Sequence, residues 1–398
     1  MYLTTPFHPR VEARNETGLW SHWSGYLVAE KYQLSEKFEY FAIRNAVGIF
    51  DTSPLYKYQI TGAEAEKFLS GVLARDIRKC RVGQAHYTFW CDDRGFVIED
   101  GVVLRQAIDR FLLTSARPNL AYFSNLIGYD RAEVEDVTEQ VAALAVQGPR
   151  SRQVLAALAP EVASLDYFHL TDTKLASSEV TVSRTGYTGD LGYEVWVSAD
   201  EAIAVWDAVA EEGAGHGLLP FGQIALLMAR IEAGLLLIDK DFESSRYAWN
   251  DEHRSTPIEL GFGWMLRDLD RDRPFIGQHA IKRAIDEKSA RWKMVGLVVD
   301  WKAYDEMYQQ AGLVAPKDHL PVTEDFMLYD AEYQRVGYAT SFMYSPMLQR
   351  HIALARVRPD LAIVGQTVEL EVTVNHRYQR VPAHVARLPL FNPPRKTG

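Results

Sequence analysis

Two stretches that alternate apolar and polar residues, 179–184 and 193–198, are separated by Gly186, Gly189 and Gly192 at every third position. Alternation of period two reads as strands. Glycine at that density permits a reversal with positive φ that other residues resist. The chain is thus committed here to a tight hairpin, with Tyr187 inside the turn and Glu194 at the start of the return strand. A glutamate so placed can accept two parallel hydrogen bonds from an amino-pyrimidinone edge such as that of a pterin, with Tyr187 packed on the flat ring. A plain hairpin without a ligand fits the same residues.

A second constellation is the adjacent pair Glu99-Asp100, set between apolar residues over 94–103. Neighbours on a strand face opposite sides, so one carboxylate is expected toward solvent and the other toward a cavity. A carboxylate in a cavity can hold a cationic amine. It can also stabilise positive charge at a carbon leaving nitrogen, oxygen or sulfur. The competing reading is a turn acid flanked by strands. The glycines of 213–217 follow a helix rather than a strand, which reads as a helix stop and linker. His86 and His351 read as ordinary polar residues. No His/Cys/carboxylate spacing suits a metal, and neither a Gly-x-Ser-x-Gly elbow nor a P-loop occurs.

The 398 residues suit two or three domains. Strand and helix patterns mix in an α+β manner. Strands are expected at 56–61, 101–105 and 110–114, and helices at 63–73, 151–158, 201–212 (ended by Gly213), 222–236 and 278–288. The charged run 268–273 reads as a solvated loop. Short strands at 294–299, 335–340, 351–357 and 367–372 form a separate C-terminal β-barrel, dividing the chain into 1–284 and 285–398. The net charge of −10, with no basic stripe, argues against nucleic acid and against docking an acidic carrier protein. Cys80 and Cys91 have neither metal nor disulfide spacing. With no signal-peptide pattern and no apolar run of about 20 residues, a cytoplasmic protein without a membrane span is expected.

Taken together, several segments resemble one family in its own order along nearly the whole chain. They are 42–51 (AIRNAVGIFD), Gly83-Gln84-Ala85-His86-Tyr87, Gln147-Gly148-Pro149, the glycine-spaced 183–194, Arg230-Ile231-Glu232-Ala233-Gly234, Thr256-Pro257-Ile258-Glu259, Phe275-Ile276-Gly277, and 335–355. The chain resembles the T-protein (aminomethyltransferase) superfamily of tetrahydrofolate-dependent one-carbon transferases. That superfamily also holds the folate domains of dimethylglycine and sarcosine oxidising enzymes and the dimethylsulfoniopropionate and aryl-ether demethylases. The resemblance implies a three-domain cloverleaf around a central folate site, with the 1–284 region built of two intertwined subdomains. It implies Asp100 as the catalytic carboxylate, Glu194 as the pterin ligand, and Tyr87, Tyr167 and Tyr187 as aromatic lining, with no metal.

Departures from the glycine-cleavage branch are informative. Asp51-Thr52-Ser53-Pro54-Leu55 replaces Asp-Val-Ser-His-Met, Leu226 stands where an arginine belongs, and Thr114 replaces a pocket asparagine. Glu99-Asp100 stands for two aspartates, and residues 388–393 look more like the oxidase-linked and demethylase branches. The donor pocket is expected at Leu55, Tyr56 and Leu226. The resemblance thus implies a one-carbon transferase that demethylates a small N-, O- or S-methylated compound, with a flavin oxidoreductase as a candidate partner. The alternative is an aminomethyltransferase served by a lipoyl carrier protein. A third reading, a folate-binding accessory protein, lacks its cysteine motif at 184–190.

Overall fold

The computed structural model describes residues 2–128, 130–267, 269 and 273–398. Three sheets enclose a central space. The first has six strands in the order Leu170–Leu175, Ser178–Ser183, Gly192–Ser198, Val141–Gln147, Val47–Asp51, Leu218–Pro220. The second has five, in the order Gln84–Cys91, Val97–Ala107, Arg110–Ser115, Tyr56–Thr61, Glu133–Asp136. The third is a closed six-stranded barrel built from Lys293–Val299 and five later strands, ending with Arg377–Ala386. The chain leaves the first sheet after Val47–Asp51, builds all of the second, and returns at Val141–Gln147. Those two strands pair with each other, so the first sheet is completed only after the second exists. Val141–Gln147 is apolar almost throughout and buried on both faces, as a strand covered on both sides must be.

One helix locks these parts together. Gln223–Glu232 carries Arg230 and Glu232, both fully buried. Arg230 pairs with Asp241 at 2.5 Å and donates to the Ser341 hydroxyl at 2.8 Å. Glu232 takes Arg44 at 2.7 Å and the hydroxyls of Tyr40 and Ser345 at 2.5 Å. A charge withdrawn from water persists only when its hydrogen-bonding capacity is met. Here the partners come from three regions, because Ser341 and Ser345 lie on the barrel strand Arg335–Ser345. Phe391 closes the joint, its backbone N–H donating to the Glu232 carbonyl and its ring lying 4.4 Å from the Arg44 guanidinium.

Several expectations need correction. The helix foreseen over 222–236 stops at Glu232, because Gly234 adopts φ 64 and turns the chain; residues 235–238 then run along the central space. The helix foreseen over 201–212 spans Ala202–Ala214 and passes through Gly213, where a Cβ would come within 2.2 Å of Leu218. That glycine serves close packing, and the helix ends just beyond it. Of the run 268–273, only Leu269 and Arg273 lie within the described residues. Arg273 is buried rather than solvated and donates to the carbonyls of Ser70 and Leu73 at 2.7 and 2.8 Å. No described helix is long and apolar enough to cross a membrane.

Candidate active site

The central space is a cavity of about 1520 Å³ bordered by residues from all three sheets. The two expected carboxylates enter it from different sheets. Asp100 comes from Val97–Ala107, where the pairing slips by one residue beside Trp90 and Cys91. Both Glu99 and Asp100 border the cavity, and Glu99 is 1% exposed. The expectation that one of the pair faces solvent is therefore wrong. The slip falls at Ile98, ahead of the two acids, which pair in regular register with Trp90 and Phe89; the segment through Arg117 covers what an open sheet would leave to water, the Arg117 N–H donating to Glu99 Oε2 at 3.2 Å. At Gly101 a Cβ would sit 1.9 Å from the Thr114 carbonyl oxygen, so only glycine fits beside these acids. Thr114 also borders the cavity, but its hydroxyl is engaged with the N–H and carbonyl of Val102, each at 3.2 Å.

Asp100 accepts the Tyr87 hydroxyl at 2.5 Å. Tyr87 is itself held by the ring of Trp264 and the edge of Phe262. Burial raises the Asp100 carboxyl to about 6, opposed by the Tyr87 bond. Glu99 is pushed well above the carboxylate range, first by burial and then by Asp100 and Asp239.

Glu194 sits on Gly192–Ser198 opposite Ala145 and Ser183. It accepts the Thr185 hydroxyl, which lies 2.7 Å from the Ser183 hydroxyl. Burial raises its proton affinity and the Thr185 bond lowers it. The glycines that mark this hairpin have a tertiary reason. A Cβ at Gly186 or Gly192 would meet the Gln147 side-chain oxygen at 2.1 or 2.2 Å. Gln147 donates to the Tyr193 carbonyl at 2.9 Å and accepts from Thr188 at 2.9 Å. The Gln-Gly-Pro segment thus plugs into the glycine-lined turn and fixes the start of the Glu194 strand.

Tyr187 borders the cavity with its hydroxyl bound to the Leu236 carbonyl. Tyr167, Leu55, Tyr56 and Leu226 border it too; Pro54 is buried behind them. Sequence reasoning missed Trp23, Trp264, Arg117 and Lys396 on the same wall. Trp23 arrives on the hairpin Trp20–Trp23/Tyr26–Ala29, whose Ser24 donates to the Ala116 carbonyl at 3.1 Å. Burial lowers the Lys396 ammonium. None of these has a local signal, since each reaches the cavity through contacts distant in sequence. Among the described residues, no group of three or more His, Cys, Asp or Glu is placed to hold a metal ion.

Residues 10–268 match the GCVT N-terminal domain, and residues 293–392 match the glycine cleavage T-protein C-terminal barrel domain. The chain belongs to the glycine cleavage T-protein family. With that membership stands the expected class, an enzyme of the tetrahydrofolate-dependent one-carbon transferase type. Among similar proteins, the aminomethyltransferase of Caldanaerobacter subterraneus subsp. tengcongensis is 31% identical over 338 residues, covering 83% of this chain and 82% of that one. The aminomethyltransferase of Saccharopolyspora erythraea is 29% identical over 392 residues, covering 97% of each. The fold agrees with the crystal structure of glycine cleavage system aminomethyltransferase T from Bartonella henselae, with a TM-score of 0.83, 22% identity, and coverage of 98% of this chain and 99% of that one. The family fold and its C-terminal barrel are as the resemblance implied.

Proposed function

We propose that this protein takes a one-carbon unit from a small N-, O- or S-methylated compound and passes it to tetrahydrofolate. The observation that carries this reading is that Glu194 and Asp100, from two different sheets, border one cavity. The residues present fit the folate. The Glu194 carboxylate accepts the Thr185 hydroxyl, which leaves acceptor capacity for an amino-pyrimidinone edge. Tyr87, Tyr167 and Tyr187 offer flat apolar surface on the same wall. The volume of about 1520 Å³ exceeds the roughly 300–1,000 Å³ of ordinary ligand pockets, leaving room for a donor beside the folate.

Bound tetrahydrofolate would supply the nitrogen that accepts the carbon. Asp100 orients that nitrogen, stabilises positive charge during transfer, and can hold a proton at Oδ1 at a pH near 6, while Tyr87 donates to Oδ2 and fixes the carboxyl plane. Thr114 contributes wall rather than a free hydroxyl. Leu55, Tyr56 and Leu226 shape the donor end. A cytoplasmic location, a flavin oxidoreductase partner and a division into 1–284 and 285–398 belong to the same proposal; Cys80 and Cys91 are both free buried thiols, as a reducing compartment would keep them.

A second reading, transfer of an aminomethyl group from a lipoyl carrier protein, is favoured by the names of the relatives. Incubation with tetrahydrofolate and a panel of methylated amines, ethers and sulfonium compounds should yield methyltetrahydrofolate and the demethylated compound with at least one of them; methylenetetrahydrofolate is expected only when a flavin oxidoreductase first oxidises the methyl group. If calorimetry with reduced folate gives no saturable heat, both readings fail. If folate binds but only an aminomethylated carrier turns over, the second replaces the first.

A further inference from the structure

We infer that Glu99 recognises the one-carbon donor, and that the donor it selects is cationic at the atom bearing the transferred carbon, an ammonium or sulfonium rather than a neutral ether. The inference rests on the transferase reading above and narrows its substrate class.

Glu99 borders the cavity one residue from Asp100 and is 1% exposed. One oxygen accepts the Arg117 N–H at 3.2 Å. The other, Oε1, is buried and has no hydrogen-bond partner among the described residues. A buried carboxylate oxygen without a donor is costly, and nothing in the joint between sheets or in the Tyr87–Asp100 contact requires it.

The charges around Glu99 do not relieve it. Asp100 and Asp239 both act to disfavour its ionised form, and Glu99 in turn acts on the Tyr87 hydroxyl. Arg117, which borders the same cavity, is committed to Asp239 at 2.5 Å. Among the described residues, Glu99, Asp100 and Asp239 border the cavity together with Arg117; Glu99 is buried, while the Arg117–Asp239 pair is partly exposed to solvent. Tyr56 and Tyr87 border the same cavity and supply aromatic rings. Carboxylates beside aromatic faces suit an onium group, whereas a neutral ether brings no positive charge to offset an ionised Glu99. The acid–base consequence follows. With no cation present, burial, Asp100 and Asp239 favour protonated Glu99, opposed by the backbone N–H groups of Arg117 and Asp100. An arriving cation reverses the balance, so its binding should expel a proton.

The test uses the full chain loaded with tetrahydrofolate and two isosteric probes, choline and neutral 3,3-dimethylbutan-1-ol. Choline should bind about tenfold more tightly. Calorimetry in phosphate and in Tris should show proton release on choline binding. Glu99→Gln should abolish both the preference and the proton release while leaving folate affinity unchanged, and Asp100→Asn should keep the preference. Equal binding of the probes, no choline binding, a preference that survives Glu99→Gln, or one lost only in Asp100→Asn would each overturn the inference. Should Glu99→Gln fail to fold, proton release by the unaltered protein decides: its absence overturns the inference and its presence supports it. Failure of folate itself to bind would instead sink the transferase reading.

Discussion

Tyr87 and Asp100 face each other from neighbouring strands, the phenol donating to the carboxylate at 2.5 Å. The bond favours the ionised carboxylate, yet burial outweighs it and holds the group near 6. Activity that depends on ionised Asp100 should therefore rise with pH through about 6. Tyr87→Phe should move that limb to higher pH by removing the one hydroxyl that lowers the pKa. A rate profile whose acid limb is unmoved by Tyr87→Phe would show that Asp100 is not the group being titrated.

The same burial carries a stability cost whose sign is fixed. The folded carboxyl titrates at about 6 and an unfolded one near 4. Between those values the native state binds more protons, so stability falls as pH rises, and the full cost is present above about 6. Asp100→Asn should thus stabilise the protein by on the order of 2 kcal/mol at pH 7.5 and by nothing at pH 3.5. It should also abolish transfer while largely sparing folate binding. Denaturant titration at both pH values, with turnover measured alongside, checks the pair; normal turnover in the variant would remove Asp100 from the chemistry.

Glu194→Gln keeps the shape of the turn and removes a charged acceptor. Loss of a charge-assisted pair costs about 1.5–3 kcal/mol, which predicts folate binding weakened roughly 10- to 100-fold. Calorimetry with reduced folate reads this directly. Unchanged affinity would mean that the pterin edge lies elsewhere.

Arg230→Met leaves Asp241 buried with its strongest partner removed, since Arg230 approaches it at 2.5 Å. Breaking a buried pair from one side costs about 3–5 kcal/mol, so the melting temperature should drop by many degrees, with the barrel joint loosening first. Hydrogen exchange along Arg335–Ser345 would show this. Protection equal to that of the unaltered protein would contradict the joint's structural role.

Gly101→Ala would force a Cβ to 1.9 Å from the Thr114 carbonyl. A clash with paired backbone cannot be relieved by rotating a side chain, so a loss of more than about 2 kcal/mol is expected, or a displaced strand. Because Asp100 is the preceding residue, activity should fall further than global unfolding explains. A variant of full stability and full turnover would refute both parts.

Much of the site is legible in the order of residues along the chain. Glycine spacing marks Glu194 and Tyr187, and the short strands after residue 290 mark the barrel. The pair Glu99-Asp100 is visible as chemistry but not as geometry, because alternation assumes a regular strand with one open face. Here the segment through Arg117 covers Glu99 on the face that an open sheet would leave to water. Gly213 reads as a stop because local propensity penalises glycine in helices, while the packing of Leu218 demands it. Trp23, Arg117, Trp264 and Lys396 carry no signal, since a cavity wall assembled from distant segments leaves no spacing to read.

Local patterns in the chain specify the strands, most helix positions and the two acids proposed for the site, since those follow from periodicity, glycine placement and residue type acting over a few neighbours. Assembly of the sheets is what makes Asp100 and Glu194, supplied by different sheets, border one cavity, and what lets Arg230 and Glu232 hold those sheets to the barrel. Burial, the pairing of charges and the raised proton affinity of an enclosed carboxyl are properties of the assembled surroundings, which no short stretch of chain contains.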